Sequence, residues 1–260
     1  MRQADLFCQR WTGRREHRRP AGEVIDVSRY EVEPIKERAA RAFVTEHHYS
    51  GTYPAARARY GLLHRGRLVG VAVFSVPIQP AAGPRWCGVA EVAELGRFVL
   101  LDEVPANGET WMLARAFRLL REDKPDLRAV LSYSDPVERW ADGVLVKPGH
   151  VGTIYQAHNG RFLGRSSPRT LWLTAAGTIL SPRTLSKLRN GERGAAYAGA
   201  QLAEAGAPER RAGEDGHAYL ARALASGRFR RMRHPGNLVY AWALSRDAQL
   251  APALPYVKAG

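Results

Sequence analysis

Cysteine is scarce in this chain of 260 residues, which contains only Cys8 and Cys87. Two cysteines exclude a disulfide framework and a zinc site built from cysteine pairs, so we expect both thiols to be reduced. The chain also lacks an apolar run long enough to cross a membrane, and its arginine-rich start has no apolar signal core. These absences predict a cytoplasmic protein.

Negative charge is the second shortage. The chain has 25 acidic residues against 39 basic ones, a net charge of +14, and 34 of the basic residues are arginine. A coding sequence rich in G and C would explain arginine in place of lysine, but it would not explain the surplus over carboxylates. Such a surplus favours a polyanionic partner, most simply nucleic acid. A basic surface without a partner is the alternative.

The hydrophobic pattern predicts an α+β protein of the three-layer α/β type. A first helix ends near His48, a tight hairpin joins "RYGLLH" to "RLVGVAVFSV", and a second helix starts near Glu109. Further strands are expected at 23–32, 92–100, 127–135, 151–157 and 234–244. This order of elements favours a mixed sheet covered by helices.

Three parts of the chain differ in composition. Residues 1–22 form a basic N-terminal arm suited to phosphate contact, with six arginines among the first twenty residues. Residues 23–180 together with 234–260 carry the sheet pattern and form the expected catalytic domain. Residues 181–233 contain two or three short helices separated by glycine and charge clusters. We therefore expect a helical insertion or accessory module near the C-terminus.

Polar side chains gather where the predicted elements end. His48 and Tyr49 in "TEHHYSGTYP" follow the first helix. Because His47 and His48 are adjacent, their side chains cannot lie on the same face of that helix. Ser134 and Asp135 close a buried strand, a position where open sheets bind ligands. A neutral imidazole there can act as a general base. The alternatives are structural, namely a histidine at a helix end and an ordinary Asp-Pro turn.

The entry to the second helix is a candidate phosphate site. The strand "ELGRFVL" leads through Pro105, Asn107 and Gly108 into a helix whose first N–H groups have no partner within the helix. Arg97 would add positive charge from the strand. The alternative is an ordinary strand–loop–helix join in which Asn107 is a cap or turn residue.

Four blocks of sequence occur in a fixed order: "EHHYSGT", "ELGRFVL", "LSYSDP" and "GHVGTIYQAHN". In this order they resemble the family of the bacteriophage DNA-modification protein Mom, whose members look like the N-acetyltransferase (GNAT) superfold. The resemblance covers about residues 35–165, and "HPGNLVYAWAL" fits the family's closing strand. The fold it implies is a GNAT-like mixed, mostly antiparallel central sheet flanked by helices.

The resemblance implies an enzyme that protects DNA from restriction in the bacterial host of a phage or prophage. It would transfer an acyl-type or acyl-derived group to an exocyclic amine of a DNA base, with adenine N6 as the expected target. The implied catalytic residues are His48, Tyr49, Asp135 and Tyr155, the substrate-binding residues Tyr60, Ser134 and His150, and the cofactor-binding residues Arg97, Asn107, Gly108 and Thr110. Acetyl-CoA or another acyl-CoA is the implied cofactor. Iron is linked to the family, although the sequence alone requires no metal.

Such a reaction constrains the mechanism. The exocyclic amine is conjugated with the ring and is a poor nucleophile, so the enzyme must position it and accept its proton. His48 or Asp135 is the expected acceptor, and Tyr49 and Tyr155 would donate hydrogen bonds or stack on the base. The target atom lies inside double-stranded DNA, so the base must be flipped out. The basic arm and residues 183–193 are the expected phosphate contacts.

Two other functions explain part of the sequence. An acyltransferase of the same fold that acts on a small amine or a protein would use the same site, but it would gain nothing from the surplus of arginine. A non-enzymatic DNA-binding protein with "SPRTLSKLRNGERG" as its recognition module would explain the charge and leave the polar strand ends unexplained. Salt-dependent binding of DNA tests the first, and DNA binding by residues 181–226 alone tests the second.

Overall fold

The computed structural model describes residues 7–12, 15–20 and 24–258. By its contacts the chain divides into two compact units. The first consists of Met1–Pro136, His150–Arg165 and Asn237–Gly260, and the second of Val137–Gly149 and Ser166–Gly236. The expected basic arm at 1–22 lies partly outside the described residues.

Thirteen strands and seven helices are found in the described ranges. The strands are β1 (Phe7–Thr12), β2 (Arg15–Pro20), β3 (Tyr30–Pro34), β4 (Ala56–His64), β5 (Arg67–Ser75), β6 (Val92–Leu100), β7 (Ala129–Ser134), β8 (Arg139–Ala141), β9 (Val144–Lys147), β10 (Arg161–Arg165), β11 (Arg169–Leu173), β12 (Arg230–His234) and β13 (Leu238–Ala243). The helices are α1 (Glu37–His47), α2 (Ala82–Cys87), α3 (Gly108–Asp123), α4 (Thr153–Ala157), α5 (Pro182–Arg189), α6 (Ala195–Glu204) and α7 (Gly216–Ala225). Within the arm, β1 and β2 pair as an antiparallel hairpin.

A seven-stranded sheet organises the first unit. Its strands lie in the order β10-β13-β7-β6-β5-β4-β3. Every neighbouring pair is antiparallel except β6 with β7, which run parallel. The predicted α+β class, with a mixed and mostly antiparallel sheet flanked by helices, is confirmed.

Helices cover both faces of this sheet. On one face, Phe43 and Val44 of α1 pack against Val73 of β5. On the other face, α3 packs into the cluster that contains Phe74, the next residue along β5, because successive strand residues point to opposite faces. The buried residues of α3 follow helical spacing and are Gly108, Met112, Leu113, Ala116, Phe117 and Leu120.

Two strand predictions need correction. The strand expected at 151–157 is wrong, because Gly152 adopts a left-handed conformation (φ 80°) and starts the short helix α4. The position beside β7 is filled instead by β13, which agrees with the core strand expected at 234–244. The strand expected at 23–32 begins only at Tyr30, because a 3-10 turn at Val27–Arg29, capped by the side chain of Asp26, precedes it.

The second unit combines two antiparallel ribbons, β8–β9 and β11–β12, with three helices. The helices share a small core that includes Leu188, Leu202 and Tyr219. Helix α5 begins with Pro182 in its first turn and with Ser181 as a cap, whose hydroxyl accepts the N–H of Thr184. The short helices predicted within 181–226 are confirmed, and the expected module at 181–233 lies inside this larger unit. In the described part of the chain, no helix has the length and apolarity needed to span a membrane.

Candidate active site

The parallel strands β6 and β7 separate to form a fork in the first unit. Their pairing covers only Val92–Glu94 and Ala129–Leu131, yet β6 continues to Leu100 and β7 to Ser134. The Oγ atom of Ser132 donates to the carbonyl of Leu95 at 3.0 Å, at the point where the strands part. Ligands of open sheets bind at such carboxyl ends, so we take the fork as the candidate site.

The loop after α1 is fastened to β6 beside the fork. Its turn is closed by a hydrogen bond from the N–H of Gly51 to the carbonyl of His48, at 2.9 Å. Arg97 donates to the carbonyl of Thr52 at 2.8 Å and to its hydroxyl at 2.6 Å. A Cβ at Gly96 would lie 2.6 Å from Oγ of Ser75 on the neighbouring strand β5, and 3.4 Å from Cγ of Pro54 in the loop. The loop thus places His48 at the fork.

His48 is held as a neutral ring. Its Nδ1 accepts the backbone N–H of Ser50 at 3.1 Å and lies 2.9 Å from that residue's hydroxyl. Burial, together with the charges of Arg97 and His150, lowers the pKa of His48 to about 3. Because Nδ1 is an acceptor, the neutral ring carries its proton on Nε2. His48 can therefore donate a hydrogen bond but is a weak base.

Glu94 is a half-buried carboxylate at the same fork. Burial raises its pKa to about 7, although Arg97 and a hydrogen bond from the N–H of Ile78 act in the opposite direction. Its negative charge also contributes to raising the pKa of Tyr133 and of Tyr155. Sequence reasoning missed this residue. The signal was present, since Glu94 is the single acid in the otherwise largely apolar strand "VAELGRFVL".

Tyr155 reaches the fork from α4. It is buried, its hydroxyl is hydrogen-bonded to the Ser132 side chain, and burial raises its pKa far above the ordinary tyrosine value. The ring of His150 lies 5.5 Å from that of Tyr155. The N–H of His150 donates to the carbonyl of Asp135 at 2.8 Å, which ties the end of β7 to the segment that carries Tyr155.

Tyr49 completes the group. Its ring lies 4.3 Å from that of His48, and its charge influences the pKa of both Arg97 and Tyr155. The neighbouring His47 turns away and packs against Phe43 at 4.5 Å, as expected for adjacent helix residues. The structure thus brings together side chains that are far apart in the chain. They are His48, Tyr49, Arg97, His150 and Tyr155, together with the unpredicted Glu94.

Two predicted substrate residues are placed differently. Tyr60 is fully buried in the main core, and its hydroxyl donates to Asp123 at the end of α3, at 2.8 Å. Its expected role in substrate binding is therefore not supported, because its polar atom is already used. Ser134 is also fully buried, and its hydroxyl has no hydrogen-bond partner among the described residues. It lies two residues beyond Ser132, on the same face of β7.

The loop expected to bind the cofactor makes hydrogen bonds among its own residues. The N–H of Gly108 donates to the carbonyl of Pro105 at 3.1 Å, and a Cβ at Gly108 would lie 2.5 Å from Cγ1 of Val104. The hydroxyl of Thr110 donates to the carbonyl of Asn107 at 3.1 Å, and Asn107 has a positive φ of 66°. These contacts shape the turn and do not fit a cradle for the pyrophosphate of an acyl-CoA.

The guanidinium of Arg97 is likewise hydrogen-bonded within the protein. It makes hydrogen bonds to Thr52 and to the carbonyl of Gly96, and burial lowers its pKa. It holds the loop that carries His48, and it contributes positive charge to the fork. Its expected contact with a cofactor pyrophosphate remains a prediction.

A metal site finds little support in the fork. Within the described ranges, no three side chains of histidine, cysteine, aspartate or glutamate are grouped so that they could hold a metal ion. The two histidines each use Nδ1 to accept a backbone N–H, His48 from Ser50 and His150 from Gly152. These contacts give no support to the iron that the resemblance suggested, which remains a prediction.

Comparisons with known proteins identify relatives of the chain. The family described as "Mom protein family" matches residues 29–234. A protein of Escherichia phage Mu named "Methylcarbamoylase mom" is 27% identical over 168 residues, which cover 63% of this chain and 65% of that protein. The chain thus matches just under two thirds of the phage protein's length.

A solved structure, a tandem GNAT protein from the clavulanic acid biosynthesis pathway, gives a weaker likeness. It is 13% identical with a TM-score of 0.35, and the superposition covers 56% of this chain and 48% of that one. The fold assignment rests on the strand order of the sheet rather than on this likeness.

Proposed function

The chain belongs to the Mom protein family, and on that premise we propose that it is a transferase that modifies DNA. It would attach an acyl-type group to an exocyclic amine of a base, with adenine N6 as the target. The observation that carries this proposal is the fork, where a base, a hydrogen-bond donor and aromatic rings meet. The net charge of +14 supports DNA as the substrate.

Glu94 is the proton acceptor in this proposal. A general base works best when its pKa lies near the operating pH, and burial raises the pKa of Glu94 to about 7. His48, with a pKa of about 3 and its Nδ1 occupied, is far less suited. Asp135 touches the group through its carbonyl oxygen. The raised pKa therefore favours Glu94 over His48 as the acceptor, and Asp135 remains the other acceptor expected from the sequence.

His48 takes a different role. Attack of an amine on a carbonyl carbon moves negative charge onto the carbonyl oxygen, and a fixed donor in a water-poor site stabilises that charge. The Nε2–H of His48 is such a donor, because the ring is half-buried, neutral and oriented by Ser50. The amine nitrogen forms the new bond to the carbonyl carbon, and its proton passes to Glu94. The bond from that carbon to the group that carried it then breaks, and the carrier leaves with the bonding electron pair and takes up the proton from Glu94.

The aromatic residues of the fork are consistent with a base of DNA as the acceptor. A base flipped out of the duplex needs a stacking partner to offset the cost of unstacking. Tyr49 is partly exposed and stands beside His48, whereas Tyr155 is buried, so Tyr49 is the better stacking surface. Tyr155 would orient the reacting groups through its hydroxyl, which bonds to Ser132.

The transferred group is proposed from the relative's name alone. The phage Mu protein is called a methylcarbamoylase, and a methylcarbamoyl group contains the carbonyl carbon that this mechanism needs. An acyl-CoA remains the donor implied by the resemblance, without support from the contacts at 107–110. The chemistry assigned to Glu94 and His48 depends on the carbonyl and not on the identity of its carrier.

The nucleoside composition of DNA tests the proposal. DNA from cells that express the wild-type protein should contain an additional adenosine species by mass spectrometry, and DNA from cells with Glu94→Gln should lack it. Unmodified DNA in the presence of folded wild-type protein would favour a DNA-binding protein without activity. Salt-independent, weak DNA binding would instead favour an acyltransferase with a small amine or protein as acceptor.

A further inference from the structure

The ribbon formed by β11 and β12 in the second unit is rich in arginine. Four arginines lie within six residues, and all four are exposed. Arg230, Arg231 and Arg233 lie in β12, and Arg228 lies two residues before it. The two strands pair antiparallel, with Trp172 opposite Arg231 and Thr170 opposite Arg233. We call this surface the arginine ribbon.

One face of the ribbon is anchored in its own unit. Leu171 and Leu173 are buried, and so is His234 at the end of β12. Side chains alternate along a strand, so Arg231 and Arg233 point to the face opposite His234. Trp172, which pairs with Arg231, is half-buried and packs against the core of the three helices, and the two arginines beside it remain exposed. The ribbon therefore presents exposed arginines on a fixed backbone.

The two segments of sequence that form the ribbon contain no carboxylate. The sequence has no aspartate or glutamate between residues 143 and 191, nor between 216 and 246, and these segments contain the two strands. None of the four arginines is ion-paired with a carboxylate in the described part of the chain. In the expected phosphate contact at 183–193, by comparison, Arg183 is paired with Glu192 at 2.6 Å. The ribbon thus keeps its charge for an external partner.

We propose that the arginine ribbon binds the phosphate backbone of double-stranded DNA. A two-stranded antiparallel ribbon fits the dimensions of the major groove, and arginine matches the geometry of phosphate oxygens. This inference rests on the proposed function, because it takes duplex DNA as the substrate. It assigns the affinity for DNA to the second unit and leaves the chemistry with the fork of the first.

The salt dependence of duplex binding tests the ribbon. The variant R228Q/R231Q/R233Q should lower the slope of log affinity against log salt by about two to three, since each lost phosphate contact accounts for about 0.9. Arg230 is left in place because its guanidinium is 3.5 Å from the carbonyl of Trp140. Anisotropy of a labelled duplex at several salt concentrations gives the slope.

A matched control removes the same charge elsewhere. The variant R29Q/R67Q/R118Q changes three exposed arginines of the first unit, each paired with a carboxylate, namely Asp26, Glu103 and Glu122. It should leave the slope nearly unchanged. The variant R228K/R231K/R233K keeps the charge and should keep most of the slope, which guards against a loss caused by misfolding.

The outcomes are separable. Wild-type binding by the ribbon variant, or an equal loss in both glutamine variants, would overturn the ribbon as the contact surface. Stronger binding of single-stranded DNA or of RNA than of the duplex would also overturn it. The proposed function is tested separately by Glu94→Gln, which should bind the duplex normally and fail to modify it.

Discussion

Two regions of the first unit hold the polar residues that the sequence selected, the fork and the helix-entry loop at 107–110. The fork opens within β6, after Glu94, and the loop follows the end of β6. In the fork, polar groups are buried without full compensation, so that the pKa of Glu94 rises and that of His48 falls. In the loop, the polar groups satisfy one another through short-range hydrogen bonds. Perturbed ionisation marks a functional site better than polarity does.

Replacing Glu94 by glutamine should have the largest effect on activity. Glutamine keeps the size of the side chain but cannot accept a proton, so modification should fall about 100- to 10,000-fold. Wild-type activity should rise with pH through about 7, because the carboxyl must ionise and its pKa is raised to about 7. Counting modified nucleosides across pH measures both. If the activity of the wild type did not change with pH, the ionisation of Glu94 would not control the reaction, and the fork would no longer differ from the loop.

Two substitutions of His48 separate a donor from a base. His48→Ala removes the Nε2–H donor, and modification should fall about 100- to 1,000-fold. His48→Gln keeps an N–H at a similar distance from the backbone and should recover part of that loss. Both variants should retain the pH step of Glu94, because His48 stays neutral well below pH 7. Equal losses in both variants, with the pH step abolished, would make His48 the base.

Much of the fold followed from short-range patterns. The alternation in β4 to β6, the helical spacing in α3 and the three helices of the second unit were all predictable. The segment 151–157 was not, because "VGTIYQA" has strand-like composition and its helix depends on Gly152 and on β13 filling the sheet. A partner 80 residues away along the chain decides that outcome, and local periodicity does not report it.

The sequence predicted which segments form the site, but it did not predict the role of each residue in it. His48, Tyr49, Arg97 and Tyr155 lie close together in the structure. The sequence blocks that contain them had already been assigned to one site. Glu94 lay inside a quoted block, but its importance comes from burial, which a sequence does not display. The role expected for Tyr60 remains a prediction, and the contact that bears on it, the hydrogen bond from its hydroxyl to Asp123, is not visible in the sequence.

Glu94 should also destabilise the fold, in contrast to the self-satisfied loop. Its folded pKa of about 7 exceeds the ordinary value of 4.5. Between these values the folded state binds more protons than the unfolded state, so the free energy of unfolding falls as pH rises. Glu94→Gln should therefore raise Tm at about pH 8 and leave it unchanged at about pH 4. Calorimetry at the two pH values checks this, and a lower Tm for the variant at the higher pH contradicts it.

Tyr60→Phe should affect stability and not catalysis. It removes the hydrogen bond to Asp123, and the free energy of unfolding should fall by about 0.5–1.5 kcal/mol. The ring remains in place in the core, so the fork is undisturbed. Urea unfolding gives the stability, and nucleoside counting gives the activity. A higher KM for DNA in the folded variant would return Tyr60 to the substrate site.

The helix-entry loop should give the smallest effect. Asn107→Gly suits a positive φ of 66°, and Thr110→Ala removes one exposed hydrogen bond to the carbonyl of residue 107. Neither change touches the fork, so the free energy of unfolding should stay within about 0.5 kcal/mol of wild type. Modification should also stay within about twofold, since the loop lies outside the fork and a change in activation free energy of about 0.5 kcal/mol alters a rate by about that factor. A tenfold or larger loss of modification in the folded double variant would mean that the loop holds the group donor. The difference between a reactive fork and a structural loop would then no longer stand.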